Sequence, residues 1–385
     1  MPMNGDRSAT PGKVVLMHVF PTFDLGGAQV RTLNLMVGLG RGFRHLVAAA
    51  DGRAGAAAGV EDGVDFELCE APPKAGTAET AWGYRRLLLR WKPDLLLTYN
   101  WGAIEAAMGA LLGTGVPFLH CEDGFGADEA QGLKRRRVWT RRLILRGAAA
   151  VVVPSRTLER IALEQYRLPS RTVRYIPNGV DTVRFAPQSN PAAKAALGIP
   201  PEAEVVGTVG HLRPEKNLGL LIESFAGLKD RNARLLIAGG GGCLEQLRAA
   251  AERQGCQGRV VFAGLLSDPA PAYAAMDVFA LSSDTEQMPV ALLEAMACGL
   301  PAVCTDVGDC GWMLGDAAVL TPPGDAAALT AALKRLLEDE GLRKRLGAQN
   351  RASCERRFSR NDMIESYRKL YLWAAGRGPA PEELE

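Results

Sequence analysis

The sequence predicts two consecutive α/β domains, each a parallel sheet wound on both faces by helices. Three observations predict it. The chain has 385 residues, too many for one ordinary core and suited to two. Its apolar runs are short, rich in Val, Leu and Ala, and separated by helix-length segments. Those runs are continuously apolar, as strands covered on both faces are.

Taken in order, the first series of strands falls at 14–20, 45–50, 95–99, 117–120 and 149–154. The second falls at 205–210, 234–238, 260–263, 278–282 and 302–305. Between them, 177–201 is rich in Pro, Asn and Gly and reads as a linker. Helices near 325–338 and 341–357 close the second series, and an amphipathic segment runs over 361–375. The expected division is an N-terminal domain over 1–185 and a C-terminal domain over 186–360. A helix over 361–375 returns to the first domain, and 376–385 is a disordered tail. In such tandem sheets the strand carboxyl ends face a shared cleft, where ligands bind.

Composition narrows the class. Apolar residues make up 47% and charged residues 23%, and the net charge is +2. This fits a globular protein and favours neither nucleic acid nor membrane as a whole. No apolar run approaches the ~20 residues of a membrane helix. The run VVLMHVF (14–20) is too short for an export core. Eight cysteines are scattered without C-x-x-C pairs, as expected of buried thiols in a reducing cytosol. The chain therefore reads as cytoplasmic.

The most informative run is DTEQMPVALLEAMACGLP (284–301), which follows a strand and opens a helix. Pro289 suits the first helical position, where a missing N–H costs nothing. Met288 before it has no side-chain oxygen to cap the helix. The N–H groups of Val290 and Ala291 are then open donors, an anion site for phosphate. Glu286 and Glu294 frame this start. Eight helical steps would span ~12 Å, against the ~5–5.5 Å of a retaining hydrolase pair. One carboxylate on each side of a bound diphosphate suits them better, although E-x7-E also arises by chance between a surface and a helix glutamate.

Supporting positions lie at other predicted strand ends. Arg213 and Lys216 follow 205–210, where two cations suit a diphosphate leaving group; solvated loop cations are the bland alternative. Gly26 and Gly27 follow the first strand and permit close backbone approach. His120 ends the strand at 117–120 and would face the cleft, the bland alternative being a satisfied structural residue. Glu122 and Asp123 beside it would bind substrate hydroxyls or tune the imidazole, or be simple loop carboxylates. The basic run LKRRRVWTRRLILRG (133–147) is a candidate for peripheral contact with an anionic membrane, or else a solvated face paired with neighbouring acids.

The run 284–301 resembles the E-x7-E donor motif of the family-4 glycosyltransferases, and the similarity extends over nearly the whole chain. The resemblance implies the GT-B fold, two Rossmann-like domains facing each other across a cleft, with 1–185 binding the acceptor and 186–360 the nucleotide-sugar donor. It implies that Glu286 contacts the donor sugar, that Glu294 contacts the ribose hydroxyls, and that the backbone of Met288, Pro289 and Val290 cradles phosphate and sugar. HLRPEK (211–216) is similar to the family's phosphate-binding G-R-L-x-x-E-K-G element, with His211 in place of its arginine and Arg213 as the substitute. Gly26 and Gly27 match its donor-facing glycine loop, where Gln29 replaces the usual acid. His120 matches a histidine contacting the transferred sugar, and Gly264 and Leu265 match a turn beside the nucleobase.

The implied activity is retaining transfer of a sugar from a nucleotide diphosphate to a hydroxyl of a glycan or lipid-linked acceptor, as in bacterial surface polysaccharide or glycolipid synthesis. No Asp-x-Asp triplet is present, so no metal or other cofactor is expected. Another GT-B enzyme such as a phosphorylase or epimerase, or a silent nucleotide-binding scaffold, is the alternative. A dehydrogenase is disfavoured because G-x-G-x-x-G is absent from both first turns.

Overall fold

The computed structural model describes residues 12–125, 129, 132–188, 191–228 and 232–380. It divides into two compact units, one made of residues up to Pro177 and from Asn361 on, the other Asn178–Arg360.

The first unit holds a seven-stranded sheet of β1 Val14–Phe20, β2 Phe43–Ala49, β3 Phe66–Leu68, β4 Leu95–Tyr99, β5 Phe118–Cys121, β6 Ala150–Val153 and β7 Val173–Tyr175. Its order is β3-β2-β1-β4-β5-β6-β7, and every ladder is parallel. The second unit holds six strands, β8 Val205–Val209, β9 Arg234–Ala238, β10 Val260–Gly264, β11 Val278–Leu281, β12 Ala302–Thr305 and β13 Val319–Thr321. Their order is β10-β9-β8-β11-β12-β13, again all parallel.

Alternation along each strand builds two cores per sheet. In β1, Leu16 and Phe20 join one cluster while Met17 and Val19 join the other. In β11, Phe279 and Leu281 pack with Leu292, Leu293 and Met296, and Val278 and Ala280 pack with Leu221, Phe225 and Leu333. The helix Arg360–Ala374 buries Met363, Ile364, Tyr367, Leu370 and Tyr371 in the first unit's core.

Two expected boundaries differ. The stretch 177–201 is not a free linker, because Val180, Phe185, Ala193 and Ile199 bury in the second core and Pro191–Ala196 is helical. The units accordingly divide at 177/178 and not at 185/186. In the expected tail, Arg377 donates its backbone N–H to Leu372 O and its guanidinium to Asp94, so the tail starts ordered; 381–385 lie outside the described residues.

Both sheets reverse their winding once, between β1 and β4 and between β8 and β11. The β8–β11 ladder has only two rungs, Val206 with Val278 and Gly207 with Phe279. The carboxyl ends of both strands thus run on unpaired on that side, at the switch point where open α/β sheets bind ligands.

Candidate functional site

In the second unit the loops after β8 and β11 meet over this switch point. Lys216 Nζ donates to Glu286 Oε1 at 2.5 Å, and Ser283 Oγ donates to the same oxygen at 2.7 Å. The loops are tied by backbone and side chain. Asp284 N–H donates to Glu215 O, Asn217 Nδ2 to Asp284 Oδ1 at 2.7 Å, and Ser282 Oγ approaches the carbonyls of Lys216 and Asn217. Asn217 holds a left-handed conformation (φ 43°) and caps the next helix through Leu220 N–H, a role asparagine tolerates better than most residues. Arg213 is exposed, and no side-chain partner is present among the described residues.

Gly308, after β12, supports Glu286 from below. Its φ is +55°, and a Cβ there would lie 2.3 Å from Glu286 O. Asp309 N–H donates to Gln287 O beside it. On the other flank, a Cβ on Gly239 would lie 1.8 Å from Gly210 O, so the loops after β8 and β9 touch through bare backbone. Gly264, at the end of β10, accepts from Gly239 N–H, and Leu265 beyond it is largely exposed. The carboxyl edge thus presents Leu265, the Gly239 loop, Arg213 with Lys216, and Glu286 in the order of the strands beneath.

The helix predicted after Glu286 spans Val290–Ala297. Pro289 is its N-cap, one position earlier than expected, with extended backbone (ψ 121°). Leu292 and Leu293 donate to Pro289 O, which leaves the N–H groups of Val290 and Ala291 without an acceptor inside the helix. Met288 is buried in the core, and Asn178 Nδ2 donates to its carbonyl. Its side chain is therefore structural. Glu294 lies one turn inside the helix and accepts from the Tyr273 hydroxyl at 2.7 Å. Burial pushes its carboxyl up to about 7, against the Tyr273 hydrogen bond, which pulls it down. Glu286 and Glu294 are thus held separately, one by a cation and one by a phenol.

In the first unit, Gly26 caps the helix Gly27–Leu39 in extended conformation, and Gln29 donates to Thr22 O, stapling the loop. His120, expected to face the cleft, is fully buried. Its Nδ1 lies 2.9 Å from Thr98 Oγ1 and its Nε2 3.7 Å from Glu122 Oε2. Glu122 is likewise not an open acceptor-binding carboxylate, because buried Arg141 grips it through Nε at 2.7 Å and Nη2 at 3.4 Å. Burial opposes the charged form, but Arg141 and His120 outweigh it and hold Glu122 below the ordinary carboxylate range. Asp123 is ion-paired with buried Arg31 of the helix Gly27–Leu39, and its N–H donates to Asn100 Oδ1 at 2.7 Å.

Sequence reasoning missed Tyr273, Ser283, Gly308, Arg31 and Asn100 as parts of these sites, and named Arg141 only within a basic run whose arginines could pair with neighbouring acids, as Arg141 does with Glu122. Gly308 and Ser283 carried a usable signal, since each follows a strand end, Ser283 just before Glu286; the others are partners brought from distant sequence.

Two successive doubly wound sheets, the second with cations, carboxylates and open helix donors at its switch point, define the GT-B class of α/β protein. Comparison agrees. The profile "Glycosyl transferases group 1" matches residues 189–353 and "Glycosyl transferase 4-like domain" matches 26–179, together most of the chain. The chain belongs to the group 1 glycosyl transferases. Among relatives, the lipopolysaccharide core biosynthesis glycosyltransferase LpsE of Rhizobium meliloti is 32% identical over 202 residues, 52% of this chain and 58% of LpsE. The match thus spans little more than half of that relative's length. The D-inositol 3-phosphate glycosyltransferase of Corynebacterium jeikeium is 28% identical over 308 residues, 72% of each chain. In fold, the chain is similar to Anabaena HepE in complex with UDP, with a TM-score of 0.77 at 20% identity over 92% of this chain and 98% of HepE.

Proposed function

We propose that the protein transfers a sugar from a nucleoside diphosphate sugar to a hydroxyl of a glycan or lipid-linked acceptor, with retention and without a metal. The observation that carries this reading is the Lys216–Glu286 pair at the β8–β11 switch point, beside the open N–H groups of Val290 and Ala291. Lys216, Arg213 and those N–H groups supply positive charge where a departing diphosphate develops negative charge. Glu294, on the same helix, supplies the acceptor for ribose hydroxyls. HepE, similar in fold, binds UDP and UDP-glucose, which makes a UDP-sugar the donor we favour. A relative that acts in lipopolysaccharide core synthesis favours a bacterial surface glycan or glycolipid as the product.

The family resemblance favours same-face attack, with the donor phosphate taking the acceptor proton. The test is thermal stability in the presence of UDP, GDP, ADP and their glucose conjugates. A ligand at 100 times its dissociation constant adds ~2.7 kcal/mol. Stabilisation by one base family, weakened in Lys216→Ala and in Glu294→Ala, is expected. Stabilisation by none of them would sink the donor-site reading.

A further inference from the structure

The basic run 133–147 forms the helix Arg135–Ile144 and a following single turn, Leu145–Gly147. At 100° per residue, its side chains sort by direction. Arg137, Val138, Arg141, Ile144 and Leu145 lie on one side. That side faces the unit's interior, where Arg141 pairs with Glu122 and Arg137 with Glu129. Arg135, Arg136, Trp139, Arg142, Leu143 and Arg146 share the opposite arc of about 120°.

That outward arc has an apolar centre and a cationic border. Trp139 is 62% exposed and Leu143 73% exposed, one helical turn apart. Arg135, Arg136 and Arg146 are exposed and have no acidic partner among the described residues. Arg142 stacks on the Trp139 ring with its guanidinium 4.4 Å from the centroid, while donating to Gln165 O at 2.8 Å. The indole is thereby held on the surface. Leu111, 47% exposed, sits beside the helix end, since a Cβ on Gly147 would lie 2.7 Å from its Cδ2.

We propose that this outward arc docks on an anionic lipid bilayer, with Trp139 and Leu143 at headgroup depth and the arginines against lipid phosphates. A solvated cationic face needs no exposed Trp and Leu at its centre. A face for base-free polyanions in solution needs the arginines alone, and one that stacks nucleobases on Trp139 has no use for Leu143. Tryptophan amid arginines on one helix arc is the arrangement that an apolar layer beneath a charged one satisfies. No described helix is long and apolar enough to cross a membrane, so the contact lies in the interface plane. Docking does not rest on the donor-site reading, because nothing in the arc belongs to that site.

The experiment is co-sedimentation of the full chain with vesicles of phosphatidylcholine alone and of phosphatidylcholine with phosphatidylglycerol. Binding to the anionic vesicles only is expected. Each arginine near the surface is worth about a fivefold change in partition, so Arg135→Ala, Arg136→Ala and Arg146→Ala together should weaken binding about a hundredfold. Trp139→Ala with Leu143→Ala should also weaken it, with an unchanged melting temperature. Nucleotide stabilisation measured on the same preparations separates the two readings, since it should survive both sets of changes. No binding to anionic vesicles, or binding indifferent to both sets, overturns the proposal. Equal binding to RNA that ignores Trp139 and Leu143 would assign the arc to nucleic acid instead.

Discussion

Glu294 sits at the balance between two protonation states, with burial raising its carboxyl and the Tyr273 hydrogen bond lowering it. The phenol is itself fully buried, edge-on to Phe185 with centroids 5.8 Å apart, so it cannot turn away from the carboxylate. Burial holds the Glu294 carboxyl near 7, above the 4.5 of the free group. A raised acid pKa means that the folded protein without ligand is partly protonated at neutral pH. If ribose hydroxyls donate to the carboxylate, binding needs the ionised form. Affinity for a nucleoside, which lacks titrating phosphates, should then rise with pH and level off above about pH 7, falling toward tenfold per unit well below it. Calorimetric titration across pH checks this, and Glu294→Gln should flatten the profile. Tyr273→Phe removes the hydrogen bond that favours the ionised form, so it should move the midpoint upward; an unmoved midpoint would make Tyr273 mere packing. At this scale the sequence was informative where chemistry follows a strand end, as for Lys216 and Glu286. It was silent where a partner arrives from elsewhere in the chain, as Tyr273 does from 21 positions upstream.

The helix Arg135–Ile144 shows how one element can read as a surface and still enter a core. Seven basic residues in 133–147 predicted a face, yet Arg141 is 1% exposed. It lies over the rings of Trp101, Phe125 and Tyr166 at 5.2–5.6 Å while gripping Glu122. Nothing in the local pattern separates Arg141 from Arg142, because the difference is a 100° turn of the helix against acids that lie elsewhere. Removing one member of such a pair strands a buried charge. Arg141→Leu is therefore expected to cost about 3–5 kcal/mol, and the double change with Glu122→Leu distinctly less. Chemical denaturation of the four members of this cycle checks it, and additive losses would show the pair to be uncoupled. The strands follow a similar logic. Those in the sheet centres were legible as continuous apolar runs, often to the residue, as β1, β4, β9 and β12 were. Three edge strands were not: β3, β7 and β13 have three residues each and are partly covered, so they carry too few apolar positions to register.

Across the whole molecule the two units share an architecture but not a burial chemistry. The first sheet carries a polar chain inside its core. His18 Nδ1 lies 3.0 Å from the Tyr99 hydroxyl and His18 Nε2 lies 3.1 Å from His45 Nδ1, with both imidazoles 1% exposed. Burial lowers His45 to about 4, with Asp65 opposing, and lowers His18 well below its ordinary value, helped by His45. Two adjacent imidazoles cannot both charge in a dry core. Their folded pKa values lie below the unfolded value near 6.5. The unfolded chain therefore binds more protons as pH falls, and the first unit loses stability in that direction. The contribution is complete above pH 6.5 and is lost as pH drops toward 4. His45 by itself should weaken the unit by about 2 kcal/mol between pH 7 and pH 5. His18 and His45 both lie in the first unit, so this term belongs to that unit. Hydrogen exchange resolves the difference, since amides of β1, β2 and β4 should lose protection between pH 7 and pH 5, after correction for intrinsic rates, while those of β8, β9 and β11 keep theirs. His45→Gln should remove most of that loss. Equal losses in both sheets would trace the acid sensitivity to carboxylates common to the two units and not to the buried imidazoles.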